Sequence, residues 1–214
     1  MLNRARTAAL TLAALTLAGC TNIHPGDAAV VDGQSISMKT LNETAEVYCA
    51  LTLSTAQEQG ATVPGNADIR RQAVTSLVSL IVARKLAGEE GIAIKPSTYE
   101  VTTAQEQQIA DAFPDEDTDQ IVQAIEDNQE VSTIAIALGE QAVGQPRTQE
   151  NEAQLAEAGQ AEITKAFATN DVEFAPRFGL DGSTKQVAES GSLSVSPADP
   201  EANPDQLPAA QRCS

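Results

Sequence analysis

One stretch constrains the fold more than any other. Residues 66–94 read NADIRRQAVTSLVSLIVARKLAGEEGIAI. Ile69, Ala73, Val74, Leu77, Val78, Leu80, Ile81 and Leu86 recur at helical spacing. Between Leu77 and Ala83 the apolar arc spreads beyond one face, and a helix apolar nearly all round must be covered on several sides. This segment is therefore expected to form the centre of a helical core. Asn66 or Asp68 is the expected cap, because a short polar side chain accepts from unpaired first-turn amides. Gly88 and Gly91 stand where a helix stop belongs.

The rest of the chain supplies segments to cover it. Ala28–Val31, Asp32-Gly33 and Gln34–Ser37 read as strand, turn and strand, since Asp-Gly suits the positive φ of a type I′ turn. Ser37 is a good N-cap for a helix carrying Leu41, Ala45, Val47, Tyr48, Leu51 and Leu53. Gly60–Gly65 breaks the pattern. A helix is expected from Pro96 and Ser97 to Pro114, then two helices over 118–143 with a bend near Asn128. After the break at 144–146, a long helix is expected over 148–169. Val172 and Phe174 alternate with acids, as in a strand, with a partner strand at Leu193 and Val195. With 42% hydrophobic residues but only 3% aromatic, the core has to be built from Ala, Val, Ile and Leu. The fold class expected is mainly α, with a short β-hairpin at the start and a returning C-terminal helix and strand.

The first nineteen residues read as an address. Arg4 and Arg6 form a basic start, and Ala8–Leu17 is apolar but too short to span a bilayer. The run Leu17-Ala18-Gly19-Cys20 resembles the lipobox of bacterial lipoproteins. That resemblance implies cleavage before Cys20 and acylation of Cys20, hence a lipid anchor on the extracytoplasmic face of the cell membrane. Two or more acyl chains hold a protein on a membrane where one binds only marginally. The expected organisation is signal peptide 1–19, tether 20–27, helical domain 28–196 and a Pro- and Ala-rich tail 197–214.

Cleavage removes two arginines and no acids, moving the formal charge from -17 to -19 (-17 minus 2). Such a chain is a poor ligand for nucleic acid or anionic head groups. Beyond Cys20, two cysteines remain, Cys49 and Cys213, in a compartment where disulfides persist. An even count points to a Cys49–Cys213 bridge, the other reading being a buried thiol at Cys49 and a free one in the tail.

Residues 28–100 resemble the N-terminal domain of SurA-type periplasmic chaperones. AAVVDGQSIS carries the resemblance, with a following helix and IRRQAVTSLVSLIVARKLAGEEGIAI. TDQIVQAIEDN, QEVSTIAIALGEQ and the 148–176 segment fit the later helices and the closing strand of that family. The resemblance implies a chaperone or holdase for unfolded or extended exported polypeptides. The parvulin prolyl-isomerase domain frequent in that family is not expected, because no histidine follows His24 and 97–169 reads as helices. The alternative is an envelope adaptor or assembly lipoprotein that binds one folded partner. A small-ligand-binding lipoprotein is a third reading, without a recognisable convergence of polar residues.

Catalytic and metal chemistry finds little to stand on. A single histidine and no cysteine pair at ligand spacing leave neither a nucleophilic triad nor a zinc site, and no phosphate loop occurs. No enzyme activity and no cofactor are expected. Asp115, Asp117, Asp119 and Glu126 fall at calcium-loop positions one, three, five and twelve, but Gln120 stands where the loop needs Gly. Helix capping explains these acids more simply. A strip of exposed Val, Ile and Leu between helices is the expected binding groove, set against the reading that all of these residues are core.

The lipobox reading has a direct test. Cys20→Ser is expected to leave the protein unprocessed or released from the membrane, read by mass and membrane fractionation. Normal cleavage and membrane attachment of the variant would contradict it.

Overall fold

The computed structural model describes residues 23–59, 64–182, 208 and 211–213. Cys20 and the strand expected at Leu193 and Val195 lie outside the described residues. The elements in order are β1 (Asp27–Val31), β2 (Gln34–Ser37), α1 (Met38–Gln59), α2 (Asn66–Glu89), α3 (Thr103–Ala112), α4 (Thr118–Val143), α5 (Glu152–Thr169) and β3 (Val172–Phe174). The chain is mainly helical with one small antiparallel sheet of order β2-β1-β3.

The hairpin turns at Asp32 and Gly33, with φ of 48° and 83°, as a two-residue primed turn requires. β1 pairs with β2 on one edge (Ala29 with Ile36, Val31 with Gln34) and with β3 on the other (Ala29 with Phe174, Val31 with Val172). Four consecutive residues of β1, Ala28 to Val31, are buried, as a strand covered on both faces requires. The strand expected at Val172 and Phe174 thus finds its partner in β1, at the opposite end of the chain.

α2 takes the central place. It packs against α1, α4, α5, β1 and a short 3₁₀ turn at Pro176–Phe178. Its buried residues, Ile69, Ala73, Val74, Val78, Leu80, Val82, Ala83 and Ala87, leave the axis on more than one side. Its start differs from expectation: Gly65 is the N-cap and no side chain caps the helix. Asp68 instead accepts from Arg71 at 2.8 Å. At the other end Gly91 has φ 68°, and the Ile92 amide donates to Ala87 O at 2.8 Å, which closes the helix.

Three other boundaries depart from the sequence reading. Pro96–Thr98 forms only a 3₁₀ turn, and α3 begins at Thr103. Thr102 and Gln105 form a reciprocal capping box there, a stronger start signal than Pro96. No break occurs near Asn128, so the two expected helices are the single α4. The Asn128 side-chain amide donates to Ala124 O at 2.7 Å, satisfying itself within the helix. α5 starts at Glu152, because Thr148 and Asn151 bond to each other in the preceding turn.

α4 and α5 form an antiparallel pair with backbones in contact. A Cβ on Gly139 would sit 1.9 Å from Leu155 O, and one on Gly159 would sit 1.6 Å from Ala135 O. No side chain can be accommodated by rotamer change when the obstacle is backbone. Gly139→Ala is expected to lose at least about 3 kcal/mol, beyond the usual range for overpacking. Gly88→Ala, with open space around the site, is expected to be neutral or to gain up to about 1 kcal/mol from helix propensity. Urea unfolding of both variants checks the pair, and an unchanged Gly139→Ala midpoint would contradict the packing.

Candidate functional site

α2 has one face that the core does not cover. Gln72, Thr75, Ser76 and Ser79 lie three and four residues apart, so they share that face. They form one side of an open groove of about 500 Å³. Asn128 and Val131 of α4, Gln160 of α5 and Leu180 beyond β3 line it as well, together with Tyr48 of α1.

Tyr48, Ser76 and Asn128 tie three helices together within it. The Tyr48 hydroxyl donates to Ser76 Oγ at 2.7 Å and accepts from Asn128 Nδ2 at 2.9 Å. Ser76 Oγ lies 3.3 Å from Asn128 Oδ1. Such bonds contribute about 1 kcal/mol each, and an orphaned buried partner costs more than that. Arg71 is already engaged: Nε donates to Phe178 O at 3.0 Å and Nη1 to Asp68. It anchors the segment that carries Leu180.

The lining is therefore mostly uncharged hydroxyls and carboxamides, which both donate and accept. This departs from the expected aliphatic strip. Val74, Val78 and Val82 face the core, and among the described residues only Val131 and Leu180 give the groove large aliphatic side chains. The one available sequence signal was Ser76 and Ser79, which interrupt an otherwise apolar run. The partners Tyr48, Asn128 and Gln160 come from distant segments and carried no local signal.

Ion pairs brace the helices around the groove. Arg84 of α2 grips Glu130 of α4 with two bonds, Nε to Oε1 at 2.8 Å and Nη2 to Oε2 at 2.6 Å. Glu130 is buried, and its hydrogen bond holds the Arg84 guanidinium above its ordinary pKa. Lys85 donates to Asp32 at 2.7 Å and to Asn170 at 2.5 Å. The Lys85 hydrogen bond pulls the Asp32 carboxyl below its usual range. Asp32 also accepts from the Asp171 amide at 3.0 Å, so the hairpin turn, α2 and the end of α5 meet at one carboxylate.

The calcium reading does not fit. Asp117 caps α4 by accepting from the Gln120 amide at 3.2 Å, and the helix runs on from Thr118 through Glu126 with Ile121 buried. Glu126 accepts from the Val101 amide at 2.8 Å. Among the described residues no group of three or more His, Cys, Asp or Glu is placed to hold a metal ion.

Cys49 and Cys213 are joined as a disulfide, Cα to Cα 5.5 Å, across 164 positions. Chain-entropy reasoning for so long a loop gives about 5 kcal/mol. The folded chain closes a connection too, of roughly 30 positions from Gly182 to Cys213, and each doubling of length costs only about 0.6 kcal/mol. The net stabilisation of the helical domain is then about 1–2 kcal/mol.

Burial pushes the Asp127 carboxyl above its usual range, with lesser opposing help from Gln123 and Arg84. An acid whose folded pKa is raised binds its proton more tightly folded than unfolded. Its penalty is absent below the ordinary value of 3.8, grows as pH rises to the folded pKa, and is constant beyond. Asp127→Asn is therefore expected to be more stable than the parent protein at about pH 7, with the difference vanishing below about pH 3. Urea titrations across that range check it, and a less stable variant at neutral pH would mean that attraction to Arg84 outweighs burial.

No family model, curated protein or solved structure matches this chain.

Proposed function

We propose that this chain is a lipid-anchored lipoprotein that acts as a chaperone or holdase for exported polypeptides, holding extended segments in the α2 groove without isomerase chemistry. The observation that carries the reading is the groove lining. Every peptide main chain presents alternating N–H and C=O groups, whatever its sequence. Side chains such as Gln72, Gln160, Thr75 and Ser79 offer complementary donors and acceptors. Val131 and Leu180 add apolar surface that tolerates varied client side chains. Among the described residues the groove lining contains no His, Cys, Asp, Glu or Lys, so the hydroxyls of Ser76, Ser79 and Thr75 have no carboxylate, imidazole or amine base in the lining to activate them.

Two further features support the reading. The element order, a hairpin leading into a helix, a long central helix, then a returning helix and strand, agrees with what the resemblance to SurA-type chaperones implies. No helix among the described residues is long and apolar enough to cross a membrane, so in this reading acylated Cys20 supplies the anchor. The acidic surface favours neutral or basic client segments.

The purified lipidated protein is expected to suppress aggregation of a chemically denatured secretory polypeptide at near-stoichiometric amounts. Gln72→Ala combined with Gln160→Ala, two exposed positions, is expected to weaken that protection about thirtyfold, as two lost hydrogen bonds of about 1 kcal/mol each would. Full protection by the double variant would remove the groove from the account. No protection by either protein, with tight binding of one folded envelope protein, would favour the adaptor reading.

A further inference from the structure

The C-terminal segment lies against the domain at a second place, away from the α2 groove. Cys213 is bonded to Cys49 in the middle of α1, and Arg212 forms an antiparallel bridge with Gly65 at the N-cap of α2. Both cysteines line an open cleft of about 510 Å³. Its walls come from α1, through Ala45 and Leu53, and from the start of α2, through Arg70. The disulfide therefore stands where a solvent-connected cleft meets the core, with Cys213 buried and Cys49 partly exposed.

We infer that the Cys49–Cys213 bond is a reducible clasp: oxidised, it holds the chain's own C-terminal segment across the α1–α2 cleft, and a dithiol reductant releases that segment and opens the cleft while the helical domain stays folded. The inference stands apart from the polypeptide-binding reading. Cys49 is half-buried and Cys213 is nearly covered, so Cys49 Sγ is the open point of attack. One thiolate of the dithiol attacks Cys49 Sγ, the bond to Cys213 breaks, and Cys213 leaves as a thiolate. Arg70 and Arg212 line the same cleft together with Glu46 and Glu116, and Arg70 also donates to Asn42 at 2.8 Å. The second thiol of the reductant then attacks the mixed disulfide and frees Cys49. Two electrons and two protons pass to the cysteines, and the reductant ends as its own disulfide.

The domain is built to survive the release. Its core joins α2 to α1, α4, α5 and the sheet, and β3 returns the chain to β1 before the C-terminal segment begins. Among the described residues the bond and the bridge at Gly65 tie the segment to α1 and to the start of α2, with Cys213 seated against the core.

Arg212 supplies the test, because trypsin cleaves after exposed, locally mobile arginines. The full-length protein is digested under native conditions in three forms: oxidised, reduced with dithiothreitol, and Cys213→Ser. Cleavage after Arg212 and after Arg84, which is held by Glu130, is followed by mass spectrometry. The inference predicts cleavage after Arg212 at least tenfold faster in the reduced and Cys213→Ser forms, with Arg84 resistant throughout. An acceleration of less than tenfold would mean that the segment stays seated without the bond. Cleavage at Arg84 rising together with Arg212 would make the bond a structural staple. Either result overturns the clasp.

Discussion

Small side chains force close helices. The buried core of this protein is made chiefly of Ala, Val, Ile and Leu, so its helices gain enough dispersion contact only by approaching each other closely. The limit is reached between α4 and α5, where Gly139 and Gly159 let backbone meet backbone. That pair forms a surface onto which α2 packs, and α2 in turn is covered by α1 and the sheet. Because α5 is held so closely, the following strand β3 is delivered to β1. The sheet thereby ties the first described segments of the domain to the last helix.

Charge does a different job. Acids outnumber cations by 30 to 13, so each cation placed between elements counts. Arg71 joins α2 to the 3₁₀ turn after β3, Arg84 joins α2 to α4, and Lys85 joins α2 to the hairpin turn and to Asn170. All three lie on α2, which makes the central helix both the apolar centre and the origin of the polar cross-ties. The Arg84–Glu130 pair holds a buried carboxylate, whose desolvation consumes much of the Coulombic gain. Its two-bond geometry still specifies the rotation of α2 against α4.

How much of this was legible in the sequence depends on the range of the interaction. The hairpin at Asp32-Gly33, the Ser37 cap and the span of α2 follow from neighbours within a few residues, and the chain alone sufficed for them. The start of α3 departs from the sequence reading because the Thr102–Gln105 box is a stronger start signal than Pro96. The unbroken α4 departs from the sequence reading because Asn128 is a poor helix residue until Tyr48, eighty positions away, accepts from its amide. The groove was the least legible feature. Apolar periodicity marks what is buried, whereas the groove is made by polar residues left on the uncovered face of α2 and by partners from α4 and α5. Even so, Ser76 and Ser79 marked where that face would lie.

The central claim is that the uncovered face of α2 receives extended polypeptide. Site-specific photocrosslinking in the full-length protein tests it most directly. A photoreactive residue is placed in turn at Ser79, which lines the groove, and at Asp111, an exposed position on α3 outside it. A denatured secretory polypeptide and its folded form are then offered as defined clients. The account predicts strong crosslinks from Ser79 to the denatured client, weak ones to the folded form, and background from Asp111. Equal crosslinking at the two positions, or crosslinks from Ser79 to the folded form alone, would contradict it.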